Sequence, residues 1–273
     1  MSRTLLGSVV LWAGCASPPA PTPPLTPSAG APERARKEAV PEPLSRAQLS
    51  AIVDDPSRSE KDRTVDERRK PVDMLAFIGV FAGMQVADIG AGTGYTSELL
   101  ARAVGPSGRV IGHNPPFVLE RFAEAGWSER LEKPVMANVV RVDRPFDDPF
   151  GPEITGLDAV VNVLFYHDFA WQEVDRASHN RGVFAALRPG GDYVVIDASA
   201  ADGAGVSGSK TLHRIEQSLV VEEVTAAGFE LVGSADFLAN PQDTLDWNAL
   251  PWREAREMYS DKFVLRFRKP PQG

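Results

Sequence analysis

Val86-Ala87-Asp88-Ile89-Gly90-Ala91-Gly92-Thr93-Gly94-Tyr95 is the stretch on which the fold turns. A short apolar run ends in a carboxylate, three glycines alternate with small residues, and a helix-forming segment follows. Glycines at such a point let the chain bend sharply and let a ligand reach the backbone without a Cβ in the way. A dinucleotide loop is written G-x-G-x-x-G, which would put its third glycine at position 95. Tyr95 stands there, and Gly94 comes one residue early. Asp88 adds a negative group just before the bend, which would repel a pyrophosphate and suits a cationic amine. The loop therefore favours a nucleoside carrying an amino acid over a phosphate-bearing nucleotide.

Outward from this loop, strands and helices alternate. Before it, Ser59 to Phe81 reads as helix, with Met74, Leu75, Ile78 and Phe81 at helical spacing, a kink or restart at Pro71 and an end at Gly83. After it come a helix from Tyr95 to Val104, a strand from Arg109 to Gly112, a helix from Pro116 to Ala125 closed by Gly126, and a strand from Val139 to Val142. Leu157 to Leu164 is almost wholly apolar, as a strand covered on both faces should be. A helix from Trp171 to Leu187, a strand from Tyr193 to Ile196, a helix from Glu216 to Ala227 and strands at Phe229 to Gly233 and Phe263 to Arg268 complete the order. This alternation predicts an α/β fold, a mostly parallel seven-stranded sheet with helices on both faces. The last two strands lack a helix of comparable length between them, so they are expected as an antiparallel edge pair.

Asp88-Ile89-Gly90-Ala91-Gly92-Thr93-Gly94 is similar to the first motif of class I S-adenosylmethionine-dependent methyltransferases. Ala186 to Asp197, with its Arg188-Pro189-Gly190-Gly191 turn, and Ala226-Ala227-Gly228-Phe229-Glu230-Leu231 resemble two later segments of that Rossmann-like fold. Tyr166-His167-Asp168, His213-Arg214-Ile215 and the run Phe263 to Pro270 resemble a bacterial branch of predicted methyltransferases. The resemblance implies S-adenosylmethionine as cofactor, with Asp88, Gly90, Gly92 and Gly94 around its methionine and ribose. The family usually closes its second strand with an acid for the ribose hydroxyls. Asn114 stands near that place here, and an amide gives a weaker grip. Asp147, with Asp143 as a rival register, is the candidate for the adenine amine.

Tyr166-His167-Asp168 falls just past the fourth strand, where ligands gather in open α/β sheets. Methyl transfer needs alignment of donor and acceptor, plus a base if the acceptor must lose a proton. His167 is the candidate base, Tyr166 could position the acceptor, and Asp168 could orient a histidine or cap the next helix. His213 is a candidate second base, and Arg214 could hold an anionic acceptor; both follow a Gly- and Ser-rich stretch, Ala200 to Lys210, suited to a lid. Each of these also has a plain structural reading as a turn or a helix start. His167, Asp168 and His213 could converge on a metal, yet no H-x-x-x-H or paired-cysteine spacing exists, so no metal is expected. Trp247 and Trp252 read as packing.

With 273 residues, 43% hydrophobic and 24% charged, the chain can build an ordinary globular core. A net charge of -8 argues against nucleic acid as partner. The basic run Arg68-Arg69-Lys70 lies among acids and reads as a mixed, solvated helix face. Residues 1–15 resemble a bacterial lipoprotein signal: Arg3, an apolar run, then Ala13-Gly14-Cys15. Trp12 departs from the usual leucine before that cleavage site. Residues 16–58 are expected as a proline-rich disordered linker, and 59–273 as the methyltransferase domain. A lipid anchor at Cys15 would place the protein at the cell envelope; without it the location is the cytoplasm. S-adenosylmethionine is made inside the cell, so the leader also motivates a different function, a non-catalytic methyltransferase-fold binding module. The first expectation remains a methyltransferase acting on a small-molecule acceptor, since no recognition domain is appended. Oligomeric state is not readable.

Overall fold

The computed structural model describes residues 41–250 and 259–271. The leader with Cys15, the linker up to residue 40, and Trp252 lie outside the described residues. The folded body starts earlier than the boundary expected at 59. Helix α1 (Arg46–Val53) is set by a capping box, in which the Ser45 hydroxyl accepts from the Gln48 amide and Gln48 answers the Ser45 amide. Leu49 is fully buried and Val53 nearly so, so the segment that follows Pro43 is core, not tether.

The expected long helix is two, α2 (Glu60–Arg69) and α3 (Pro71–Ile78). Lys70 between them is left-handed, φ 45°, and Pro71 opens α3, where its missing amide costs nothing. α3 ends at Gly79 rather than Gly83. The remaining elements are β1 (Gln85–Ile89), α4 (Tyr95–Val104), β2 (Arg109–Asn114), α5 (Pro116–Val118), a π-helical turn (Leu119–Ala123), α6 (Glu124–Leu131), β3 (Val139–Asp143), β4 (Leu157–Val163), α7 (Asp168–Trp171), α8 (Arg176–Ala186), β5 (Leu187–Ala198), α9 (Gln217–Ala226), β6 (Glu230–Ala235) and β7 (Lys262–Arg268). Gly126 does not stop its helix. It sits inside α6, where an added Cβ would come within 3.0 Å of Thr93, so it serves close packing on the glycine loop. The helix expected from Trp171 starts only at Arg176, and β5 is longer than expected because the Pro-Gly-Gly turn is drawn into its first half.

The seven strands lie in the order β3-β2-β1-β4-β5-β7-β6. β1 pairs parallel with β2 and β4, β4 with β5, and β7 runs antiparallel to both β5 and β6. The expected antiparallel pair is present, with β7 inserted inside β6. Val86, Ala87, Ile89, Val160, Val161, Val194 and Val195 are wholly buried, which puts the apolar centre on β1, β4 and β5. Strand order reverses between β1 and β4. The loops leaving their carboxyl ends therefore part in opposite directions and open a crevice.

Candidate active site

That crevice is a cavity of about 640 Å³. On one side stands the bend after β1, with Asp88, Gly90, Ala91, Gly92 and Thr93; on the other stand Leu164, Phe165, His167 and Asp168 after β4. Gly90 has φ 67°, and a Cβ there would meet the Phe165 ring at 2.6 Å, so the bend needs glycine for conformation and for space. Gly94 answers a different need: a Cβ there would overlap the Trp127 ring. It lets α4 start flush against α6 and does not line the cavity. Phe117, Phe122 and Trp171 give the crevice an aromatic wall. Phe122 lies in the π-helical turn and Phe117 just before it, a distortion that often marks functional sites.

Asp88 is buried, and its carboxylate accepts from the Ser97 hydroxyl at 2.6 Å. Burial, opposed by that hydrogen bond, raises its pKa to about 7. Asn114 reaches the same loop but not the cavity. Its Oδ1 accepts from the Gly92 amide at 2.8 Å and its Nδ2 donates to the Gly92 carbonyl at 3.0 Å. The amide expected on a ribose is instead a clamp that fixes the glycine bend. Asp147 is exposed and outside the cavity lining, and Asp143 pairs with Arg141 at 2.9 Å.

The residues past β4 part company. Tyr166 is fully buried, its hydroxyl held by Glu223 and Asn180, both at 2.9 Å, and it faces the core instead of an acceptor. His167, Asp168 and His213 do come together at the cavity. The His167 ring donates from Nδ1 to Asp197 Oδ1 at 2.7 Å, and its backbone amide donates to Asp197 Oδ2 at 2.8 Å. On its other side, Nε2 lies 3.1 Å from Asp168 Oδ1 and 3.3 Å from His213 Nδ1. Burial works against a charge on His167, but the Asp197 and Asp168 carboxylates outweigh it and hold its pKa up at about 10. Burial would raise Asp168, yet hydrogen bonds from His167, His213 and the Trp171 indole hold it well below the usual carboxylate range. His167 thus sits between two carboxylates, both of which favour a proton on its ring.

Asp197 is the residue the sequence reading passed over. It lies at the end of the apolar run Tyr193 to Ile196 and is wholly buried. A carboxylate closing an apolar strand was the available signal, because such a group needs a partner. Arg69 also lines the cavity. α2 is not merely a solvated face: Asp62 is buried on Arg130 at 2.6 Å, and Tyr95 donates to Asp66 at 2.7 Å. Lacking an apolar stripe, this helix docks over the glycine loop through ion pairs. Arg214 points away from the cavity into the body. There it pairs with Asp243 at 2.9 Å, both side chains fully buried, and lies under the Trp247 ring. It holds the loop, and Trp247 packs on it. His113 and His179 are buried on the backbone carbonyls of Arg144 and Phe146, and burial lowers their pKa values to about 3 and about 4.

This arrangement of sheet, glycine bend and crevice is the fold of S-adenosylmethionine-dependent methyltransferases. Residues 33–138 match the family model of protein-L-isoaspartate(D-aspartate) O-methyltransferase. A solved S-adenosylmethionine-dependent methyltransferase from Aquifex aeolicus superposes with a TM-score of 0.54 at 15% identity, covering 83% of this chain and 99% of its own. The [4+2]-cyclase SpnF superposes with a TM-score of 0.52 at 17% identity, over 74% of this chain and 83% of its own. No curated protein matches the chain in sequence. A methyltransferase and a cyclase on one fold show that the chemistry has to be argued from the site.

Proposed function

We propose that the protein is an S-adenosylmethionine-dependent methyltransferase acting on a small-molecule acceptor. The observation that carries this reading is the meeting, in one cavity, of the glycine bend with Asp88 and the His167–Asp168–His213 cluster. The bend and Asp88 suit a nucleoside bearing a cationic amino acid. The cluster lies opposite, where an acceptor would approach the sulfonium methyl. The volume is that of a small-ligand site, and the aromatic wall favours flat or apolar groups. Alignment supplies most of the rate in such a transfer, and the cluster activates an acceptor that must shed a proton. The match to a methyltransferase family model supports the same reading.

One feature favours the second reading, a binding module without catalysis: Asn114 is consumed by Gly92, so the end of β2 offers no carboxylate to a ribose. Calorimetry on the full chain separates the two. The enzyme reading expects heat with S-adenosylmethionine and with S-adenosylhomocysteine, and a product mass gain of one methyl with small thiols, phenols or amines. No heat with either nucleoside defeats it. The lipoprotein-like residues 1–15 support a place at the cell envelope. Cys15→Ala should then release the chain from the membrane fraction, whereas a wild type already soluble defeats the anchor.

A further inference from the structure

We propose that His167 Nε2, His213 Nδ1 and Asp168 Oδ1 form a binding site for a divalent transition-metal ion in the wall of the cavity. The three atoms lie 3.1, 3.3 and 3.6 Å apart. Three ligands about 2.1 Å from one ion, in tetrahedral or octahedral positions, stand about 3.0 to 3.4 Å from one another. Two edges of the triangle are of that size, and the third, 3.6 Å, is slightly longer.

Donor chemistry points the same way. Each of the three atoms offers a lone pair once its group is deprotonated there, and the three lie together in the cavity wall. A cation would take all three lone pairs, in place of the protons that the two histidines otherwise bring to Asp168. Two carboxylates, Asp168 and Asp197, face two imidazoles, so the cluster has the formal charge to balance a dication.

The surroundings are those that orient metal ligands. The Asp197 carboxylate takes the Nδ1 proton of His167 at 2.7 Å, which fixes the ring with Nε2 toward Asp168 and His213. The Trp171 indole donates to Asp168 Oδ1 at 2.6 Å and fixes the carboxylate. All three ligand residues line the cavity, which leaves an open side for another molecule. Two imidazole nitrogens and one carboxylate oxygen select zinc, iron or a neighbouring transition ion over magnesium or calcium. The ligands come from two loops, 46 residues apart for the histidine pair, so no short spacing in the sequence announced them.

The ion's role rests on the methyl-transfer reading; its binding does not. Bound to the ion, an acceptor hydroxyl would lose its proton to solvent more readily. Its oxygen would then form a bond to the methyl carbon as the carbon–sulfur bond breaks and the sulfonium leaves as a neutral thioether.

The test uses the untagged full chain, stripped with a chelator and titrated with cobalt(II). One ion per chain should bind, with a visible absorption band, and zinc(II) should displace it. His213→Ala and Asp168→Asn should each weaken cobalt binding by about tenfold or more with the far-UV circular dichroism unchanged. Glu153→Gln, on the exposed surface, should leave binding as it is. A folded wild type that takes up no cobalt overturns the proposal, and so does binding that survives both substitutions unaltered. Calorimetry with S-adenosylmethionine runs beside it. Cofactor heat without cobalt uptake removes the ion alone; cobalt uptake without cofactor heat removes the methyltransferase reading and keeps the ion.

Discussion

His213 and Arg214 are neighbours in the chain and opposites in the fold. His213 has a left-handed backbone, φ 53°, and a partly exposed ring in the cavity wall. Arg214 is turned the other way, with no exposure, onto Asp243, the Ser199 and Trp247 carbonyls and the Trp247 ring. Both side chains approach an aspartate, Asp168 for His213 and Asp243 for Arg214. The contacts differ in their surroundings: the Arg214 pair is closed off in the body, whereas the His213 cluster lies in the wall of the cavity. His213 is also one of the five non-glycine residues with positive φ among those described, and Leu164, at 62° in the same cavity, is another. Strained backbone of this kind persists where the surrounding structure over-determines it, often at functional sites.

Substitutions at the two positions should break apart accordingly. The largest effect is expected on turnover: His213→Ala should lower kcat by about 10²- to 10⁴-fold while the melting temperature stays within a few degrees. Loss of fold with that substitution would make His213 a structural residue and erase the contrast. Arg214→Ala should do the reverse, costing about 3 to 5 kcal/mol in urea unfolding because it strands the buried Asp243 carboxylate. His167→Ala joins both behaviours. It should lower turnover and also cost about 3 kcal/mol, since the buried Asp197 keeps its backbone amide donors but loses the imidazole that balances its charge.

Smaller effects sharpen the other wall of the cavity. Loss of the Asn114 clamp in Asn114→Ala should cost about 1 to 3 kcal/mol by leaving the Gly92 amide and carbonyl unpaired, and should weaken cofactor binding through the loosened bend. Asp88 should impose a pH dependence. Its folded pKa, near 7, lies above the ordinary carboxylate value, so the folded state holds the extra proton between those two values. Stability from this group therefore falls as pH rises from the acid range to about 7 and is level above it. A cationic ligand favours the ionised form, so cofactor affinity should rise with pH below about 7, by at most about tenfold per unit. Asp88→Asn should flatten that slope in calorimetry. A slope unchanged in the variant would assign it to another group.

Much of the fold was legible in the sequence because its signals are local. The apolar runs of β1 and β4 and the glycine bend act over a few residues, and a backbone turn needs only its own residues to be specified. The cluster was legible in part. His167, Asp168 and His213 were visible as reactive types beside strand ends, but not their mutual contact or the part played by Asp197. Asn114 and Tyr166 were assigned outward from their position after a strand, and the structure spends both on inward hydrogen bonds. Position after a strand fixes where a residue's Cα lies, whereas its side chain goes where an unpaired polar group is left to satisfy.

The sequence by itself determined the α/β alternation, the bend at residues 90–94 and the antiparallel edge, since periodicity and glycine placement are properties of neighbouring residues. The tertiary structure alone decided that loops after β4 and before α9 meet, that Asp197 holds His167, and that His213 and Arg214 face opposite ways. Those outcomes depend on burying charge only where a partner from a distant part of the chain can meet it, and a partner's position in space is not written in the spacing of residues along the chain.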